Sequence, residues 1–267
     1  MHVHETIHEA YLGALEDVFL NYEYRAAPRG MPVREITDYC FRILRPKPEH
    51  IVTCNTVRND VIKRYTEQET ALYNSGSNSV EDFAAASKFW KKIANPNGTI
   101  NSAYGHLIWK KASLGNPIFE QGNVYRDDKG CAHHPVPADM PKNDEFMRTP
   151  WEWCVESLRK DKDTRQALLR FSLPEHHWLG NKDFVCTISG NFLIRNNKLN
   201  LSVVMRSNDL MLGLVYDLPW FISLMYKMVD ELKDIYPDLK VGHYTHLAHS
   251  MHIYERNEQD VLKMLGR

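Results

Sequence analysis

Residues 183–195 and 198–206 are two strand candidates, rich in β-branched and aromatic side chains and joined at Asn196-Asn197. Alternation with a period of two marks strands that turn one face to a core. Asn tolerates positive φ, so the pair predicts a turn joining strands over 183–195 and 198–206 into a hairpin. The period then lengthens. Phe221, Leu224, Met225, Met228 and Leu232 recur at i, i+3, i+4, i+7 and i+11, the stripe of a half-buried helix over 217–233. Residues 239–255 are strand-like again. This mixed order predicts an α+β class rather than a strict βαβ series.

Upstream signals agree with that class. Ile7, Tyr11, Ala14, Leu15 and Val18 share one face of a helix over 5–20, and residues 26–32 read as a loop. Ser79-Val-Glu-Asp predicts a capping-box start for a helix carrying Phe83, Ala86 and Trp90. Residues 113–148 are rich in Gly, Pro, Asp and Asn and lack periodicity, which reads as a long surface excursion. Thr149-Pro-Trp-Glu restarts a helix, and 166–172 is a short strand candidate. There is no internal repeat, and the 267 residues are read as one domain.

Charge narrows the function classes. Lys plus Arg number 33 and Asp plus Glu 34, which excludes a broad basic surface for bulk nucleic-acid binding. No run approaches the ~18 apolar residues of a membrane span. The N-terminus has neither the basic nor the apolar region of a signal peptide. Five scattered cysteines, Cys40, Cys54, Cys131, Cys154 and Cys186, without a C-x-x-C, suit reduced thiols in a cytoplasm.

Several residues invite chemistry. Cys186 falls in the first hairpin strand, sharing a face with Ile188, Gly190 and Phe192. That pattern fits a buried core cysteine as well as a nucleophile, which needs a nearby cation to lower its pKa. Arg206, at the end of the second strand, is the candidate cation. Arg206-Ser207 offers a fork of donors and a hydroxyl for a phosphate, or simply a solvated strand end; Arg165 reads the same way. His243, His246, His249 and His252 recur every three residues, a spacing that builds no single tetrahedral shell on a helix or a strand. Cys131, His133 and His134 cluster without an evident fourth ligand. No metal site is expected. Glycine-rich phosphate loops and G-x-S-x-G are absent.

Taken together, Cys186, Arg206-Ser207-Asn208-Asp209, Gly213 and Asp217 resemble the core of the thymidylate synthase superfamily, with no gap needed. Asp183-Phe-Val-Cys-Thr, Leu193-Ile-Arg, Met205-Arg-Ser-Asn-Asp and Ile100-Asn-Ser-x-Tyr-Gly are similar to its phage deoxycytidylate hydroxymethylase branch. The resemblance runs from about residue 60 to 256. It implies a mixed sheet with helices packed on one side and a homodimer formed through the sheet. It implies Cys186 as nucleophile and Glu69 as the residue that organises water and protons at the base. Arg165, Arg206 and Ser207 match phosphate ligands, with Arg165 reaching across the dimer, and Arg29 lies in the loop of a further phosphate-binding residue. His252 and Tyr254 match the pair holding the sugar hydroxyl. Asp209, Trp90 and Tyr104 match positions lining folate and base. Three features depart from the family: Gln166 follows Arg165 where Arg-Arg is common, the 113–148 excursion is long, and the chain ends 13 residues after Tyr254.

The activity so implied is transfer of a hydroxymethyl group to C5 of dCMP, with 5,10-methylenetetrahydrofolate as co-substrate. CMP hydroxymethylation, the dUMP equivalents and a non-catalytic nucleotide-binding protein are the rivals. Thiolate addition at C6 makes C5 nucleophilic, which divides one hard step into easier ones. Asp217 is the base-reading candidate, because a carboxyl group can accept from cytosine N4 and share a proton with N3. Its bland reading is the N-cap of the helix that follows.

Overall fold

The computed structural model describes residues 1–110 and 149–267; the expected excursion over 113–148, with Cys131, His133 and His134, lies outside the described residues. The chain opens with β1 (His2–His4), α1 (Ile7–Leu20), β2 (Tyr24–Ala26) and β3 (Val33–Ile43). Four helices follow: α2 (Thr56–Ser75), α3 (Val80–Ala86), α4 (Trp90–Ile93) and α5 (Tyr104–Trp109). Next come α6 (Pro150–Lys160), β4 (Leu168–Arg170), β5 (Thr187–Arg195), β6 (Lys198–Met205) and β7 (Asn208–Asp209). The chain closes with α7 (Val215–Glu231), β8 (Lys240–Tyr254) and α8 (Glu258–Met264).

The strands form one sheet in the order β1-β3-β8-β6-β5-β4, with β2 paired to β3 and β7 to β8. Its centre is β8, antiparallel to β3 and parallel to β6 and β7. Parallel partners need a long crossover, and α7 supplies it. One sheet face is buried: Tyr39, Phe41 and Ile43 of β3, Tyr244, His246 and Ala248 of β8, Leu201 and Val203 of β6, and Phe192 and Ile194 of β5. Helices α1 and α7 pack against this sheet, so the expected α+β fold with helices on one side is what forms.

Local chemistry explains the boundaries. Thr6 and Thr149 each make the full reciprocal capping box at the starts of α1 and α6. Asn196 and Asn197 both have positive φ, 50° and 56°, as a two-residue hairpin turn requires. The expected helix from Ser79 to Trp90 is in fact two. Ser79 caps α3, accepting from the Glu81 N–H at 3.3 Å, while Asp82 turns away to take the Ser77 hydroxyl. The chain breaks at Ser87, and Trp90 begins α4.

Two further expectations are corrected. Cys186 does not lie inside the strand, which starts at Thr187; an extra residue between Thr187 and Ser189 breaks the alternation that placed Cys186 on the face of Gly190 and Phe192. Asp217 is not an N-cap. The helix begins two residues earlier, at Val215, so Asp217 sits in its first turn and its side chain is released for other partners. Among the described residues, no helix is long and apolar enough to cross a membrane.

Candidate active site

The site is assembled where the end of β6 meets the start of α7. Arg206 leaves β6 and folds back over the segment that leads into β5. Its Nε donates to the Val185 carbonyl at 3.1 Å, its Nη2 donates to the Phe184 carbonyl, and Nη2 also lies 3.4 Å from Cys186 Sγ. Its guanidinium carbon stands 4.7 Å over the Phe184 ring. One side chain thus holds the approach to Cys186 in shape and brings a fixed positive charge to the sulfur. Burial pushes the Cys186 thiol up, and Arg206 and Arg29 pull it back.

Asp183 anchors the other end of that segment. Its carboxylate accepts the Ser102 N–H at 2.9 Å and the Ser102 hydroxyl, while Asn101 donates to the Asp183 carbonyl at 3.1 Å. The two sequence motifs, Asn101-Ser102 and Asp183–Cys186, are therefore one structure. Just beyond Ser102, α5 presses on α2. A Cβ at Gly105 would lie 1.6 Å from the Tyr73 carbonyl oxygen, so only glycine permits the approach. It sets Tyr104 on Tyr73, with ring centroids 5.3 Å apart, where its phenol feels Asp217 and Cys186.

Two buried carboxyl groups complete the centre. Asp217 accepts from Asn208 Nδ2 at 2.9 Å, and burial pushes its carboxyl up to about 6. Asn208 is 2% exposed, and its own Oδ1 has no hydrogen-bond partner among the described residues. Turning that amide over would offer C=O to a protonated Asp217, so Asn208 suits either form of the acid. Gly213 makes room for both: a Cβ there would stand 3.1 Å from Asn208 Nδ2 and 3.3 Å from Asp217 Oδ2. Glu69 points inward from α2 at 6% exposure, whereas neighbouring Glu67 is exposed. Burial, reinforced by Asp217, pushes Glu69 up to about 8. The Tyr65 hydroxyl donates to Glu69 Oε1 at 3.2 Å.

The other expected residues divide into those brought near and those not. Asp209 pairs with His252 across β7 and β8, and its Oδ1 caps the turn below by accepting from the N–H groups of Met211 at 2.8 Å and Leu212 at 3.3 Å. His252 is buried, with its ring edge-on to Tyr254 at 5.4 Å. The Tyr254 phenol lies in the fields of Asp209, Arg29 and Cys186. Arg29 is exposed at positive φ in the turn Pro28–Gly30. Ser207 is half-buried beside Arg206. Trp90, expected to line folate, is 7% exposed, and its indole N–H is already committed to the Tyr65 hydroxyl at 3.0 Å. Arg165 is exposed in the loop before β4, and none of the hydrogen bonds just described involves it.

Asn208, Tyr65 and Tyr73 were not singled out from sequence. Tyr65-x-x-x-Glu69-x-x-x-Tyr73 is nevertheless an i−4, i, i+4 pattern that puts all three on one helix face. The histidines of β8 make no metal centre: His246 is buried against the Tyr244 hydroxyl at 2.9 Å, and His249 faces Asp38 at 2.6 Å. Among the described residues, no three His, Cys, Asp or Glu side chains group to hold an ion.

Known proteins are similar to this chain in sequence or in fold. Deoxycytidylate 5-hydroxymethyltransferase of Enterobacteria phage T4 is 27% identical over 200 residues, covering 72% of this chain and 68% of that protein. Deoxyuridylate hydroxymethyltransferase of Bacillus phage SP01 is 33% identical over 251 residues; this covers 90% of the chain but 56% of that longer protein. Thermostable thymidylate synthase A from Bacillus subtilis has the same fold, with a TM-score of 0.64 at 16% identity over 97% of this chain and 84% of its own. The thymidylate synthase family model matches residues 9–267. By that match over nearly its whole length, the chain belongs to the thymidylate synthase family.

Proposed function

We propose that this folate-dependent one-carbon transferase converts dCMP to 5-hydroxymethyl-dCMP. The observation that carries the choice of base is Asp217, a buried carboxyl group with a pKa pushed up to about 6. Cytosine presents an acceptor at N3 and a donor at N4. A carboxyl group that takes a proton this readily pairs both, and it can supply charge relief at N3 as sulfur adds to the ring. Uracil, with N3–H and O4, calls for an amide at the same place.

The co-substrate 5,10-methylenetetrahydrofolate would supply a one-carbon unit at the oxidation level of formaldehyde. Phe89, exposed and edge-on to Trp90 at 5.9 Å, and exposed Leu212, in the Asp209-capped turn, offer apolar surface of the kind a bicyclic ring packs on. Arg206 holds the Cys186 sulfur, whose thiolate adds to C6 of the base. C5 would then take the one-carbon unit; loss of the C5 proton and cleavage of the remaining C–N bond, with tetrahydrofolate as leaving group, would give an exocyclic methylene on the pyrimidine. Glu69 orients water onto that methylene. As the C–O bond forms, the electron pair returns through the ring, the C6–S bond breaks, and Cys186 is regenerated. Arg206 keeps Nη1 for the substrate phosphate, with Ser207 and Arg29, while His252 and Tyr254 take the sugar hydroxyl.

Hydroxymethylation of dUMP is the second reading, favoured by the similarity to the SP01 protein. Incubation with dCMP, CMP or dUMP plus methylenetetrahydrofolate, with products identified by mass, tests both. The expected product is dCMP plus 30 Da of CH2O, roughly one per folate consumed, with no dihydrofolate. Product from dUMP alone would transfer the proposal to the second reading, and stoichiometric dihydrofolate would make the reaction a methylation.

A further inference from the structure

We propose that Tyr65 is a positioning residue for this reaction: its hydroxyl, pinned by the Trp90 indole, fixes the Glu69 carboxyl so that the oxygen left free meets the incoming water. The inference rests on the one-carbon reading above and assigns work to a residue outside the sequence motifs.

The direction of the hydrogen bonds carries the argument. An indole N–H can only donate. Trp90 Nε1 gives its proton to the Tyr65 oxygen at 3.0 Å. The single Tyr65 proton is then free to point at Glu69 Oε1, 3.2 Å away. Oε1 is thereby held as an acceptor, and any proton that Glu69 carries is directed to Oε2. A carboxyl group free to turn would exchange its two oxygens; this one is sorted before substrate arrives, which is the condition for aligning a water molecule.

The phenol is itself held in place. Its ring packs on Tyr216 with centroids 4.6 Å apart, and the Tyr216 hydroxyl accepts from Arg58 Nη2 at 3.2 Å. Arg58 Nη2 also donates to the Met211 carbonyl at 2.9 Å, tying α2 to the turn before α7. Glu69 is faced from every side by groups that set its charge. Tyr65 donates from its own helix and the Tyr73 phenol lies near, Asp217 and Tyr216 approach from α7, and Tyr104 of α5 stacks on Tyr73. Asp217 and burial favour the neutral acid, while the two phenols oppose them. Removing the Tyr65 hydroxyl therefore moves Glu69 in one direction only, toward holding its proton to higher pH.

Tyr65→Phe keeps the ring and deletes the hydroxyl. The carboxylic-acid infrared band of the unliganded protein that disappears in Glu69→Gln reports the titration midpoint of Glu69. In Tyr65→Phe that midpoint should rise by roughly half to one pH unit, the worth of one hydrogen bond. On whichever pyrimidine nucleotide the protein uses, kcat should fall about 10-fold with KM within about twofold, and the Glu69 limb of the kcat profile should move up with the midpoint. A midpoint that stays in place, or a kcat that does not follow it, overturns the proposal. Trp90→Phe, which strips the donor from Tyr65, should shift the midpoint the same way by less and decides the matter if Tyr65→Phe does not fold. The infrared reading needs no substrate. A shifted midpoint in a protein that hydroxymethylates no nucleotide would sink the function and leave the assignment of Tyr65 to Glu69 standing.

Discussion

Glu69 and Asp217 are two buried carboxyl groups, Glu69 in the field of Asp217, and both are pushed toward their neutral forms. For Glu69 the ordinary value of 4.5 rises to about 8 on folding. Below about pH 4.5 folded and unfolded chains both hold this proton, and the favourable contribution is intact. Between 4.5 and 8 the unfolded chain releases it first, so the folded state binds more protons and stability falls as pH rises; above about 8 the loss is complete. A shift of this size corresponds to a few kcal/mol, on the order of 5 at most. Glu69→Gln has no proton to lose. Its melting temperature should match the parent at pH 5 and exceed it by several degrees at pH 9, while turnover collapses. Equal melting at pH 9 would mean that Glu69 ionises in place without cost.

Asp217→Asn tests base choice at the same scale. The amide matches uracil and cannot supply the proton that cytosine N3 needs. A buried polar mismatch costs about 1–3 kcal/mol, so kcat/KM for dCMP should drop roughly 10- to 100-fold while relative activity on dUMP rises. An unchanged dCMP-to-dUMP ratio in a folded variant would remove Asp217 from base recognition. Cys186, Arg206 and Asp217 stood out in sequence only through the family resemblance of their shared motif, each having a bland reading alone; the contact of Arg206 Nη2 with Cys186 Sγ at 3.4 Å appears only in the fold. Asn208 did not stand out, since nothing in its own position says that its amide turns inward to Asp217. Tyr65 was hidden for a different reason: on a helix with few apolar residues, a tyrosine four residues from a glutamate reads as one more half-exposed side chain.

At the scale of elements, the site depends on how closely α5 approaches α2. Gly105 lies against the Tyr73 carbonyl, and the aromatic column Tyr73, Tyr104 and Trp220 is stacked on that contact. Gly105→Ala would gain about 1 kcal/mol in helix propensity if the residue were free. Here a Cβ at 1.6 Å from backbone oxygen must drive the helices apart. A net destabilisation of about 1–3 kcal/mol is expected from overpacking, read as a lower urea midpoint. Because the same shift draws Tyr104 and Tyr73 from the carboxyl pair, kcat should fall further than stability alone explains at temperatures where the variant is folded. A variant as stable and as active as the parent would show that α5 slides freely. The elements themselves were mostly readable: the stripe of Phe221, Leu224, Met225 and Met228 is buried in α7, and the hairpin turns at Asn196-Asn197, both at positive φ. The misreadings sit at boundaries. Trp90 follows a break at Ser87 that a continuous apolar spacing conceals, and the bulge before Ser189 removes Cys186 from a strand whose alternation passes straight through it.

At the scale of the whole molecule, the sheet has one buried face and one that is only half covered. On the latter stand Cys40, Leu193, Val204, Val241 and Leu247, apolar side chains alternating with the core positions of β3, β5, β6 and β8. Strand order was not legible in sequence, since the pairing of β8 with β3 and β6 joins residues far apart in the chain and leaves no local trace. A half-covered apolar face on a central sheet suits a two-fold partner of the same kind, and on the family resemblance we propose that Arg165 would cross between copies to the neighbouring phosphate. Subunit mixing tests this directly. Arg165→Ala and Cys186→Ser should each be nearly inactive alone. If Arg165 serves the neighbouring subunit, a hybrid dimer has one site with both Cys186 and Arg165 intact and one site with neither. Random reassortment makes about half of all dimers hybrid, each with one of two sites working, so the mixture should recover about a quarter of the parent activity. If Arg165 serves its own subunit, every hybrid site lacks one residue or the other and mixing recovers nothing. Sedimentation of each variant before mixing supplies the control: both must be dimers that exchange, because a monomeric parent, or dimers that exchange freely with no recovery, would place Arg165 outside any shared site.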